Sequence, residues 1–128
     1  MQLTSQEFDG KYSINVECER YFEGSSSIYV TLNSKSIKIE GPVFVGSSSE
    51  PNKLKFTPFK YGQLIGVYWE DGKGKKILVY IYSLSDSLGW SRGKEGLSSD
   101  QLHGIKRQLQ SQDKNEIATD IVFGEVEN

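Results

Sequence analysis

Residues 64–83, LIGVYWEDGKGKKILVYIYS, decide the fold of this chain because they place two apolar runs on either side of a turn. Asp71-Gly72 and Gly74 supply the residue types that β-hairpin turns favour. A strand with one solvated face alternates apolar and polar residues, but both runs carry apolar or aromatic groups at consecutive positions. Both faces of this hairpin are therefore expected to be covered.

The residues before the hairpin predict an antiparallel meander. The stretch KYSINVECE at 11–19 alternates strictly, which is typical of a strand with one buried face. Further strands are indicated at 28–32, 37–45 and 54–59, and a less regular last strand at 117–126. Strands joined by short connections pair with their neighbours in sequence. The hairpin brings the total to about seven strands in a curled or barrel-like sheet.

One amphipathic helix is predicted near residues 99–111. Ser98 and Gln101 have the spacing of a capping box. Three apolar side chains fall on one helical face: Leu102, Ile105 and Leu109. A helix this short is marginal alone, and Gly104 costs it about 1 kcal/mol relative to alanine. The helix is therefore expected to pack on the second face of the 64–83 hairpin, which makes the fold class α+β.

Length and composition indicate a single domain spanning residues 1–128. The chain is 36% hydrophobic and 25% charged, the balance of an ordinary globular domain. Residues 1–9 and 124–128 lie outside the regular pattern and are expected to be loosely ordered ends. No apolar run approaches the roughly 20 residues of a membrane helix, and no signal peptide is visible, so a cytoplasmic location is expected.

The titratable residues argue against catalysis and against a metal or cofactor. Cys18 is the only cysteine and His103 the only histidine, so neither an internal disulfide nor a zinc site can be built. No combination of nucleophile, base and acid with a recognisable spacing is present. The chain is therefore predicted not to be an enzyme, with no cofactor and no metal.

The net charge of −2 conceals a basic middle segment. Residues 1–50 hold four basic and seven acidic side chains, residues 51–107 hold ten and five, and residues 108–128 hold one and five. One interpretation is that the acidic ends lie near the basic segment. The other is a basic surface for a protein partner with an acidic surface.

The glycine-rich stretch LSDSLGWSRGKEG at 84–96 carries the predicted partner-binding residues. It exceeds the usual length of a connection, and tryptophan and arginine are enriched at interface hot spots. The predicted binding residues are Trp90, Arg92, Lys94 and, at the hairpin tip, Lys73 and Lys75. Glu70 and Asp71 flank the tip, which argues against nucleic-acid binding.

These features predict a non-enzymatic protein-binding module. A small acidic domain with a β-meander, a tryptophan-containing loop and one amphipathic helix is similar in kind to some bacterial immunity proteins, which neutralise a partner protein. That resemblance implies an immunity-type inhibitor.

The alternative is a calycin-like β-barrel that carries a small hydrophobic ligand. The stretch FDGKYSINV at 8–16 resembles the opening of lipocalins and fatty-acid-binding proteins. In this alternative four hairpin aromatics would line the cavity: Tyr68, Trp69, Tyr80 and Tyr82. A helix capping one end of the barrel would favour a carrier, and a helix lying across the sheet would argue against it. Self-association through the second hairpin face would instead give a homo-oligomer.

Overall fold

The computed structural model describes residues 1–20, 24–35, 37–72, 76–85, 98–111 and 121–127. Within them lie nine strands, a short 3-10 helix at Pro51–Lys53 and the helix α1 at Ser99–Ser111. The strands are β1 (Gln2–Phe8), β2 (Tyr12–Arg20), β3 (Ser26–Ser34), β4 (Ile37–Ser48), β5 (Lys55–Tyr61), β6 (Leu64–Glu70), β7 (Lys76–Ser83), β8 (Ile121–Phe123) and β9 (Val126–Glu127).

The strands form two sheets that curl into a half-barrel. The first sheet has the order β1-β2-β3-β4-β9 and the second the order β5-β6-β7-β8. Strands that follow one another from β1 to β4 and from β5 to β7 pair antiparallel, as the meander predicts. The two short C-terminal strands instead pair parallel, β8 with β7 and β9 with β4. The α+β class is confirmed.

The inner faces of the two sheets share the larger apolar core. Strand β2 contributes Ile14 and Val16, β3 contributes Val30, and β6 contributes Ile65 and Val67, all fully buried. The strict alternation of β2 and β3 explains this arrangement, because every second side chain points to the same face.

Helix α1 covers the second face of the hairpin. Its Ile105 is fully buried in a smaller cluster with Tyr68, Leu78 and three further apolar side chains of the second sheet: Phe59, Leu64 and Ile81. The predicted helix and its packing partner are therefore confirmed. The predicted homo-oligomer would have covered this face with a second copy of the chain. Because the chain's own helix covers the face, a second copy is not needed to shield it from water.

The capping box fixes the start of α1. The Gln101 backbone N–H donates to the Ser98 hydroxyl over 3.1 Å, and the Ser98 N–H donates to the Gln101 side-chain oxygen over 2.9 Å. Farther along the helix, the Gln108 side chain donates to the Lys60 carbonyl over 2.9 Å, which ties α1 to β5. The helix thus lies across the second sheet rather than over a barrel end.

The N-terminal residues differ from the expectation of a loose end. Gln2–Phe8 pair with β2, and Leu3 and Phe8 pack against the core. The register shifts between Gln2 and Thr4, so the two apolar side chains do not follow a simple two-residue period. At the other end, Val126 is buried and pairs with Gly46. Among the described residues, no helix combines the length and apolar character that crossing a membrane requires.

Candidate binding surface

The predicted partner-binding residues lie outside the residues that the structure describes. Trp90, Arg92 and Lys94 belong to the segment 86–97, and Lys73 and Lys75 to the hairpin tip. Their role as a partner-binding surface stays a prediction.

The structure divides the four predicted ligand-binding aromatics between two faces. Trp69 and Tyr80 are buried in the core between the sheets, and Tyr82 packs against that core half-buried. Tyr68 points the other way, into the cluster under α1. A register shift between β6 and β7 explains why neighbouring residues Val79 and Tyr80 both enter the inner core.

Among the described residues, three buried polar atoms at the inner core make no hydrogen bond of standard geometry. They are the Trp69 indole nitrogen, the Tyr80 hydroxyl and the Glu40 Oε1 atom. Burial raises the pKa of Tyr80, and the nearby Glu40 carboxylate and Tyr82 raise it further. Buried polar groups are usually hydrogen-bonded, so these atoms form a candidate polar site inside the half-barrel.

Sequence reasoning did not single out Glu40, which lies in the predicted strand at 37–45. The structure pairs Glu40 with the fully buried Leu32, because the register between β3 and β4 shifts on both sides of that pair. The available signal was Gly41-Pro42 just after it, since glycine and proline inside a strand mark an irregular ladder.

A second candidate site lies on the outer face of the first sheet. Four strands align one residue each in a single row, which runs through Gln2, Glu17, Tyr29 and Phe44. The Tyr29 and Phe44 rings meet edge to face, with centroids 5.9 Å apart and planes at 67°. Phe44 is 39% exposed, and neither apolar cluster of the described residues includes these two rings. We call Tyr29 and Phe44 the outer aromatic pair.

A cavity of about 470 Å³ opens beside the outer aromatic pair. It is lined by Met1, Glu17, Cys18, Glu19, Tyr29 and Pro42. Glu17 and Glu19 are exposed on the outer face of β2, while the Cys18 between them is buried. The Met1 amino group donates to the Cys18 carbonyl over 3.1 Å. The site therefore combines aromatic surface with two solvated carboxylates.

A signal for the outer aromatic pair was present in the sequence. In β3 the fully buried residues are Ile28, Val30 and Leu32, so the alternation assigns Tyr29 to the solvated face, where a polar residue is the rule. Phe44 lies within three consecutive apolar residues, Val43-Phe44-Val45, which show no alternation and follow the irregular Gly41-Pro42 pair. The direction in which its side chain points could not be derived from spacing.

Within the described ranges, no group of three or more histidine, cysteine, aspartate or glutamate side chains could hold a metal ion. Comparison of the chain with family models, with curated proteins and with solved structures gives no match.

Proposed function

We propose that this protein is a non-enzymatic protein-binding module and that it binds its partner through the outer face of the first sheet. The observation that carries the proposal is the outer aromatic pair: the Tyr29 and Phe44 rings meet edge to face on the outer face of the first sheet, next to a cavity of about 470 Å³. Aromatic residues are enriched at interfaces and at hot spots.

The coverage of the other faces supports this choice of surface. The inner faces of both sheets pack against each other, and α1 packs on the outer face of the second sheet. Tyr29 and Phe44 instead present aromatic surface outside both clusters. Placing such surface against a partner would remove it from water, which is favourable at about 25 cal/mol per Å² of apolar area.

The proposal includes an immunity-type inhibitor, a module that neutralises its partner by occupying a surface the partner needs. Supporting it is the general layout of the chain, which joins a small β-meander to one amphipathic helix. The basic segment with Trp90, Arg92 and Lys94 is a separate prediction for a partner with an acidic surface. Experiments can test the two surfaces independently.

The test is affinity purification from the native host with three variants. Phe44→Ser removes the more exposed ring of the pair. Ile37→Ser is the matched control, because it removes another exposed apolar side chain of β4, 71% exposed, outside the aromatic row. Trp90→Ala combined with Arg92→Ala tests the basic segment. Thermal unfolding of each variant establishes that it is folded.

The proposal expects one co-purifying protein to be depleted at least tenfold by Phe44→Ser and retained by Ile37→Ser, since a tenfold loss corresponds to only about 1.4 kcal/mol of binding free energy. Retention of every co-purifying protein by folded Phe44→Ser would refute binding through this face. If only the Trp90 and Arg92 variant depletes a co-purifying protein, the interface lies on the basic segment and not on the first sheet.

A second candidate function is carriage of a small ligand inside the half-barrel. The observation that favours it is the set of unpartnered polar atoms on Glu40, Trp69 and Tyr80. A ligand that donates to the carboxylate, accepts from the indole and hydrogen-bonds the Tyr80 hydroxyl would satisfy all three. Against it stand the packing of Tyr68 on the helix side and the course of α1 across the sheet.

Native mass spectrometry of the protein purified from its host tests this alternative. A carrier is expected to show a bound small molecule, and Tyr80→Phe and Trp69→Phe should reduce its occupancy because each removes one hydrogen-bonding group. A wild-type spectrum containing only the bare chain at low salt would exclude it.

A further inference from the structure

We infer that the partner presents a lysine or arginine side chain, which seats in the cavity beside Tyr29. This inference rests on the proposed function and specifies the chemistry of the partner. The cavity of about 470 Å³ falls within the range of roughly 300–1,000 Å³ of clefts that hold small groups. A long flexible side chain can therefore enter it.

The charges at the cavity select a cation. Glu17 and Glu19 both line it and are both exposed, so two carboxylates border the opening. Met1 also lines the cavity, and its amino group donates to the Cys18 carbonyl. Among the described residues that line the cavity, two negative groups and one positive group leave a net negative charge. An anionic group would be repelled here, whereas an ammonium or guanidinium group would gain charge-assisted hydrogen bonds.

The aromatic wall favours the same ligand. Tyr29 lines the cavity, and it lies directly opposite Glu17 in the register of β2 and β3. Lysine and arginine bind over aromatic faces by a cation–π interaction, and the long methylene stems of both residues cover apolar surface. The neighbouring Phe44 ring extends this apolar surface toward β4. Carboxylates beside an aromatic ring thus match a basic side chain better than a neutral apolar one.

The experiment titrates isotope-labelled protein with three capped tripeptides and follows the backbone amide NMR signals. The probes are acetyl-Gly-Lys-Gly-amide, acetyl-Gly-Arg-Gly-amide and the uncharged acetyl-Gly-norleucine-Gly-amide. The test variant is Glu17→Gln with Glu19→Gln. The matched control is Glu7→Gln with Glu127→Gln, which changes the net charge equally at two exposed positions outside the cavity.

The expected result is saturable shifts of the Glu17, Glu19 and Tyr29 amides with the two cationic peptides at millimolar concentration, and none with norleucine. The test variant should weaken this binding about tenfold, and the control pair less than twofold, because only the first removes the adjacent carboxylates. Added salt should weaken binding to the wild type.

Three results would overturn the inference: no saturable shift at these amides, equal binding of norleucine, or equal weakening by the control pair. The inference and the proposed function fail separately. If Phe44→Ser depletes a partner but the lysine and arginine peptides do not bind, the aromatic interface stands without the cation site. If the peptides bind but Phe44→Ser depletes no partner, the cation site stands alone.

Discussion

Gly104 shows how a residue that weakens a helix can be required by its packing. It lies in the middle of α1, where alanine would normally be favoured by about 1 kcal/mol. A Cβ added at this position would overlap the Tyr61 ring of β5. The absence of a side chain therefore lets the helix approach the second sheet closely.

Gly104→Ala is expected to destabilise the protein by about 1–2 kcal/mol, because the clash outweighs the gain in helix propensity. Urea unfolding measures the free energy. The same substitution in a Tyr61→Ala background should instead be neutral or stabilising by up to about 1 kcal/mol, since the obstructing ring is absent. Stabilisation by Gly104→Ala in the wild-type background would contradict the close approach.

The raised pKa of Tyr80 predicts that the free energy of unfolding falls at alkaline pH. Its pKa is raised in the folded protein, so the folded state keeps the phenolic proton above pH 10 while the unfolded chain releases it. The stabilising contribution is present below about pH 10 and falls above it, by up to about 1.4 kcal/mol per pH unit.

Tyr80→Phe should remove this contribution and flatten the fall in unfolding free energy between about pH 10 and pH 11. At neutral pH the substitution should cost no more than about 0.5 kcal/mol, because among the described residues the hydroxyl lies near the Glu40 carboxylate but makes no hydrogen bond of standard geometry. Denaturant unfolding across this pH range measures both quantities. An alkaline slope identical in wild type and variant would contradict the burial of the phenol.

At the scale of elements, α1 is the cover that the 64–83 hairpin needs. Ile105→Ala is expected to cost about 2–5 kcal/mol of unfolding free energy, because it opens a cavity between the helix and the second sheet. His103→Ala, on the exposed side of the same helix, should change stability by less than about 0.5 kcal/mol. Equal effects of the two substitutions in urea unfolding would show that the helix does not bury this face.

The sequence predicted the elements whose side-chain period is regular. Strands β2 and β3 alternate strictly, and α1 carries both a capping box and an apolar stripe, so their types and buried faces follow from local patterns. Strand β1 was missed because a bulge near Leu3 breaks its period. The inward position of Glu40 has a similar cause, since register shifts within β4 depend on pairing with another strand.

The candidate site could be predicted only in part for the same reason. Glu17 and Glu19 are exposed on the outer face of β2, and this follows from the strict alternation of residues 11–19. The meeting of Tyr29 with Phe44 depends on the register of β3 against β4 and on a bulge that inserts Val45. Spacing within one strand contains no information about that register.

At the scale of the whole molecule, the choice of interface depends on which sheet faces the described elements cover. Two sheets enclose the larger core, and α1 covers the outside of the second sheet. The outer aromatic pair on the first sheet belongs to neither cluster and borders a cavity with two carboxylates. Among the described residues, these two rings lie outside both apolar clusters, and this is the basis for proposing a protein partner at the first sheet.

The most direct test of that assignment is site-specific photo-crosslinking in the native host. A benzophenone amino acid replaces Phe44 in one variant and His103 in the other. His103 is exposed on α1, which packs on the outer face of the second sheet, whereas Phe44 lies on the outer face of the first sheet. We expect a discrete crosslinked protein at position 44 and none at position 103. The absence of a crosslink at position 44, or the same products at both positions, would contradict binding through the outer aromatic pair.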